Sequence, residues 1–231
     1  MKITSLGALV LSALLFGMGC FNKDNPVGDE EVAPNIPQLI IFRGPDSPNA
    51  PQELGTSLGL LNGKTATAFN YLSLANLLSP EADENKFSWE VTYGQFNALI
   101  EARKIANGTV DWTLTLNGSD GTVTYNNWVA MRGNSDMDGA SGTWRFFAEN
   151  SATEMAQFTW EIDDNEQRFG TLILNDVGRL YDVMNHPNKS GSLEVKENGV
   201  KVYQATWDAS GAGSWTAWDT QGNMLDSGSW N

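Results

Sequence analysis

From Phe87 onward, apolar and polar residues alternate with a period of two. Phe87, Trp89 and Val91 alternate with Ser88, Glu90 and Thr92; Trp112, Leu114 and Leu116 alternate with Thr113 and Thr115. Trp144, Phe146 and Ala148 alternate with Arg145, and Phe158, Trp160 and Ile162 with Thr159 and Glu161. Successive side chains of an extended chain point to opposite faces, so this pattern predicts strands with one buried and one wet face. Turn signals separate them: Tyr93-Gly94, Asn107-Gly108, Asn117-Gly118, Asp120-Gly121, Asp138-Gly139, Asn198-Gly199 and Gln221-Gly222-Asn223. Asn-Gly and Asp-Gly pairs suit tight hairpins, whose backbone needs positive φ. Candidate strands run over 87–93, 95–106, 110–117, 122–132, 142–149, 156–163, 169–175, 191–197 and 200–207, with a final hairpin across 213–230. The 95–106 stretch has helical propensity, but Phe96, Ala98 and Ile100 alternate between hairpin signals, which predicts a strand. The fold class is mainly β: an antiparallel meander of about ten strands, forming a curved sheet or an up-and-down barrel. Outward positions carry Asp, Glu, Lys, Asn and Thr, which does not suit the apolar belt of a membrane-spanning barrel.

Between Thr56 and Leu78 the period changes. Leu58, Leu61, Thr65, Phe69, Leu72, Ala75 and Leu78 recur at three- and four-residue steps, which predicts one face of a helix, interrupted near Gly63 and ended by Pro80. Such a helix packs on the sheet or closes the mouth of a barrel. Before it, Leu39-Ile40-Ile41-Phe42 is a short apolar run, a strand or a packing segment, followed by Pro45, Pro48 and Pro51. Residues 21–38 hold Asp24, Asp29, Glu30 and Glu31 together with Pro26, Pro34 and Pro37, a composition that predicts an extended, disordered tether.

The first twenty residues read differently again. Lys2 precedes the apolar run Leu6–Phe16, which suits a signal peptide and is shorter than the roughly 20 residues that span a bilayer. It ends in Gly17-Met18-Gly19-Cys20, and Cys20 is the single cysteine of the chain. These residues resemble the lipobox of bacterial lipoproteins, with Gly17 where an aliphatic residue is usual. The resemblance implies cleavage before Cys20, a diacylglycerol on its sulfur, and attachment to a membrane through that lipid. Phe21 stands where Asp would favour inner-membrane retention, so the resemblance implies the outer membrane. Segments 1–19, 20–38, 39–86 and 87–231 are then signal peptide, lipidated tether, helical N-terminal segment and β-domain, with 39–231 one folded unit.

Charge and chemistry narrow the function. The chain carries 28 acidic and 14 basic residues, a net charge of −14, which argues against nucleic acid and anionic lipid surfaces as partners. With one cysteine no intramolecular disulfide forms, so the fold stands on its core. His186 is the single histidine, which excludes multi-histidine zinc sites, and no Gly-x-Ser-x-Gly elbow presents a serine to it. Glu161, Asp163 and Asp164 are paired carboxylates of low specificity in so acidic a chain. Asn134-Ser135-Asp136-Met137-Asp138-Gly139 matches the first half of a calcium loop, with oxygens from Asn134, Asp136 and Asp138, but Arg145 occupies the twelfth position where a Glu is expected. The same residues form turns. No constellation supports an enzyme, and beyond the possible calcium no cofactor is implied.

Trp112, Trp128, Trp144 and Trp160 sit at even intervals, as if successive strands each carried one on the same face. They are either core or the lining of a concave face that takes an apolar or carbohydrate ligand. Two functions follow. One is a lipid-anchored, non-enzymatic binding module with a cavity between sheet and helix. The other is a structural or protein-interaction component of the envelope with a filled core.

Overall fold

The computed structural model describes residues 32–37, 40–105 and 108–231. Glu31–Asn231 is one compact unit. It contains a helix, α1 (Gln52–Ala75), and thirteen strands: β1 (Glu81–Asp83), β2 (Lys86–Tyr93), β3 (Phe96–Ile105), β4 (Thr109–Ser119), β5 (Thr124–Asp136), β6 (Ser141–Phe147), β7 (Glu154–Ile162), β8 (Arg168–Leu174), β9 (Arg179–Asn185), β10 (Gly191–Glu197), β11 (Val200–Trp207), β12 (Gly213–Trp218) and β13 (Met224–Trp230). They pair in chain order in one antiparallel sheet, which does not close: β1 and β13 are its two edges. The sheet is therefore a meander, as the alternation predicts, but with thirteen strands rather than about ten.

The two unpredicted strands have identifiable causes. β1 is three residues long and exposed throughout, so it carries no apolar period. In β9, Tyr181 and Val183 face the core while Leu180 and Met184 occupy the opposite face, so apolar residues fall on both sides and the alternation is blurred. Its hairpin to β10 also lacks a glycine: Lys189 supplies the positive φ of 74°.

Four hairpin turns share one geometry. In Asp163–Gln167, His186–Ser190, Asp208–Ala212 and Asp219–Asn223 the first N–H donates to the fifth carbonyl, at 2.9 to 3.0 Å, and the fourth N–H donates to the first carbonyl. The fourth residue has positive φ in each: Glu166, Lys189, Gly211 and Gly222. The aspartates add a second layer, because Oδ1 of Asp163 and of Asp219 accepts from two backbone amides further round its own turn.

One face of the sheet is covered by two layers laid down before β1. The first is an extended strap. Lys104 at the end of β3 donates to Val32 O, and Asn35 N donates to Met137 O in the β5–β6 turn at 3.2 Å. Arg168 donates to Ile41 O, Asn185 holds Arg43, Lys189 pairs with Asp46 at 3.6 Å, and Ser47 Oγ donates to Asn231 O. The strap thus crosses one end of the strands from β3 to β13. Where acid and proline content predicts a free tether, residues 32–37 are extended but packed, with Pro34 and Pro37 buried. Leu39 lies outside the described residues; Ile40 and Phe42 form no strand and enter the core at 2% and 1% exposure.

A strap without a ladder partner must satisfy its backbone otherwise. Two asparagines do this on consecutive residues. Asn62 of α1 accepts from Phe42 N at 2.9 Å and donates to Phe42 O at 2.8 Å. Asn185 of β9 accepts from Arg43 N at 2.6 Å and donates to Arg43 O at 3.0 Å. The second layer is α1, which starts behind Pro51, whose carbonyl accepts from Leu54 N at 3.1 Å. It runs unbroken through Gly63, which is exposed, and ends before Leu78. Leu54, Leu58, Leu61, Thr65, Leu72 and Ala75 are its buried stripe. The side chain of Phe69 lies outside the described residues.

Candidate functional site

The covered face explains three of the four evenly spaced tryptophans. Trp112, Trp144 and Trp160 are 1%, 0% and 1% exposed. Their rings make a continuous stack with neighbours: Trp89 on Trp112 at 6.0 Å, Trp112 edge-on to Trp144 at 6.3 Å, Trp144 on Trp160 at 5.4 Å, and Trp160 on Phe158 at 5.9 Å. Phe42 of the strap closes the stack, edge-on to Phe158 at 6.4 Å.

Glycines on neighbouring strands make room for these rings. Gly133 of β5 stands between Trp112 and Trp144, directly abreast of both. Trp160 lies over Gly142, Trp207 over Gly191 and Trp230 over Gly213; a Cβ on Gly191 would sit 2.5 Å from Trp207 Cζ2. The indole N–H groups reach turn carbonyls beyond those glycines: Trp160 to Gly139 O at 3.2 Å, Trp207 to Lys189 O at 3.0 Å, and Trp230 to Gly211 O at 2.7 Å. Trp112 instead donates to Ser135 Oγ at 2.9 Å. Each ring therefore clasps a hairpin to the strand behind it.

Trp128 does not join the stack. Register shifts at Leu114/Thr115 and Leu116/Gly118, with Asn127 at φ 45°, bulge this part of the β4–β5 pair. Trp128 ends up half-buried, stacked on Tyr125 at 5.6 Å. Even spacing in sequence thus does not carry the four rings to equivalent places.

The opposite face holds a depression of about 420 Å³ over β4 to β7. One cross-strand row places Thr113, Arg132, Arg145 and Gln157 abreast, and the next places Asp111, Asn134, Thr143 and Thr159 abreast. Arg132 and Arg145 are both exposed. A second depression of about 270 Å³, lined by Asn126, Asn127, Trp128, Phe147 and Asn150 among others, shares Arg132. The sequence held the signal for this pair. Residues 132 and 145 lie equally far to either side of the Asp138-Gly139 turn, on the polar side of the alternation.

The face carries a second polar cluster on β9 to β11. Glu194 pairs with Lys196 at 2.9 Å and with Lys201, and Lys196 reaches Asp182 at 3.7 Å. Burial opposes ionisation of Glu194, but the two lysines outweigh it and lower its pKa. In this cluster each charge has an opposite charge beside it.

The remaining candidates are placed as follows. Asn134 lines the depression over β4 to β7. Asp136 Oδ2 accepts from Ser141 N at 2.9 Å and from Ser141 Oγ at 2.8 Å, and Asp138 Oδ1 accepts from Ala140 N at 3.0 Å, so these acids hold the β5–β6 turn. Among the described residues no group of three or more His, Cys, Asp or Glu side chains is arranged to hold a metal ion. His186 is the first residue of a hairpin turn. Asp163 caps the amides of Asn165 and Gln167. Cys20 and the lipobox-like segment lie outside the described residues. No helix among the described residues is long and apolar enough to cross a membrane. No protein-family model matches this chain, and no curated protein is significantly similar to it.

Proposed function

We propose that this chain is a lipid-anchored protein of the bacterial cell envelope, attached through Cys20, whose β-domain works without catalysis and through its outer surface. The observation that carries the second half is the packing of Trp112, Trp144 and Trp160. They fill the face that an interior ligand would need, in one buried cluster with Leu54, Leu61 and Leu72 of α1 and Phe42 of the strap. Of the two functions the sequence leaves open, the interaction component with a filled core is therefore favoured over a binder of apolar ligands between sheet and helix. The lipobox-like Gly17-Met18-Gly19-Cys20 supports the attachment. Outer-membrane residence follows from Phe21 under the same resemblance.

Two measurements test this. Native mass spectrometry of the protein purified from its own host should give the acylated chain with no lipid held in its interior; a co-purifying lipid displaced by mutation of Leu61 or Trp144 would overturn the surface reading. Cys20→Ser should leave the membrane fraction, and continued membrane attachment would overturn the anchor.

A further inference from the structure

On the face away from α1, Arg132 of β5 stands directly opposite Arg145 of β6. Like charges directly abreast in a sheet are destabilising. A chain with 28 acidic and 14 basic residues had every opportunity to place an acid there. Existing contacts do little to relieve the pair. Arg145 Nε is 3.9 Å from Glu154 Oε2, at the limit of an ion pair, with the arginine side chain 58% exposed. The Arg132 guanidinium lies 6.0 Å from the Phe147 ring centre. Each guanidinium offers five N–H donors, and these contacts engage few of them.

The surroundings are those of a site. The pair sits in a depression of about 420 Å³, within the roughly 300–1,000 Å³ typical of small-ligand sites. Thr113, Thr143, Asn134 and Gln157 ring it with groups that both donate to and accept from hydroxyls. Two forked guanidinium groups side by side match a carboxylate or phosphate. Asp111 also lines the depression, and the net charge of −14 repels an extended polyanion.

We propose that this depression binds a small sugar bearing a single oxyanion, with Arg132 and Arg145 gripping the carboxylate or phosphate and Thr113, Thr143, Asn134 and Gln157 meeting the hydroxyls. The proposal deepens the surface reading by naming a ligand class. It rests on that reading only in placing the ligand outside the core, and it is independent of the lipid anchor.

The test is calorimetric titration of the full chain at low salt with glucuronate, glucose 6-phosphate and glucose. The acidic sugars should bind and glucose should not; a response to one of the two acids alone identifies the oxyanion. Arg132→Gln and Arg145→Gln should each weaken binding by about tenfold or more, the equivalent of one charge-assisted hydrogen bond. Without ligand, both variants should melt at or above the wild-type temperature, because a repulsive pair is gone. Acidic sugars binding no better than glucose, or variants binding like wild type, would overturn the site and leave the surface reading standing. A marked loss of stability in both unliganded variants would assign the pair a structural role and overturn it equally.

Discussion

At the residue scale, the tryptophan and the glycine beneath it act as one unit. Trp160 fills the volume above Gly142 and anchors the Gly139 carbonyl. Trp160→Ala should cost about 3–5 kcal/mol, the range for removing a buried aromatic. Gly213→Ala inserts a methyl against both the Thr206 carbonyl and the Trp230 ring and should cost about 1–3 kcal/mol by overpacking. Urea unfolding checks both: the midpoint should fall with the slope unchanged, and a neutral Gly213→Ala would show that the ring has room to move. The asparagine clasps make a different prediction. Asn185→Ala removes both partners of the Arg43 backbone, so an amide and a carbonyl lose their hydrogen bonds in a half-buried place. The expected cost is about 1–3 kcal/mol, read as a lowered midpoint; Asn185→Asp keeps the acceptor and should recover part of it.

At the scale of elements, the hairpins are held by acids whose ionised form is the useful one. Backbone amides of Val123 and Thr122 lower the pKa of Asp120, with help from the Tyr125 hydroxyl. The Asn223 side chain and turn amides lower that of Asp219, and the Ser210 hydroxyl and amide lower that of Asp208. A folded pKa below the unfolded value contributes stability that is complete above about pH 4 and is lost as pH falls through the folded values. Stability measured by urea should therefore be flat near neutrality and decline below about pH 4. Asp120→Asn should lessen that decline; an unchanged acid limb would remove these turns as its cause. Tyr203 has the opposite sign. Burial, then the charge of Glu53 near the start of α1, push its pKa up to about 12. Its contribution is complete below about pH 10 and is lost between pH 10 and the folded value. Absorbance at 295 nm should show one tyrosine ionising late, a step missing in Tyr203→Phe.

The elements also show how far pattern reading reaches. Strands with one apolar face, such as β4 and β7, were legible because burial on a single face imposes a period of two. β9 was not, because Leu180 and Met184 are half-buried on the outer face and erase the polar half of the pattern. The hairpin at His186–Ser190 was not, because a lysine rather than a glycine holds its positive φ. The strap was not, because its order comes from Asn62, Asn185 and the strand ends rather than from any period of its own.

At the scale of the whole molecule, an open meander leaves two edges that could recruit further strands. β1 guards its side by brevity and by Glu81 and Asp83. At the other edge the strap reaches only the end of β13, through Ser47 and Asn49 to Asn231 O, and Met224 and Leu225 stay exposed. Across the covered face, strap and helix stand in for the second sheet of a sandwich.

Sequence alone determined the class of fold, the antiparallel order and the covered face, because alternation and turn residues act locally and every strand here pairs with its neighbour in the chain. It also isolated Cys20 as the residue on which the proposed attachment rests. Only tertiary structure decided which tryptophans are core, that the sheet stays open, and that Arg132 faces Arg145. Those outcomes depend on register, on a bulge at Asn127 and on a strap that touches strands far away in sequence, and none of these leaves a periodic trace in the chain.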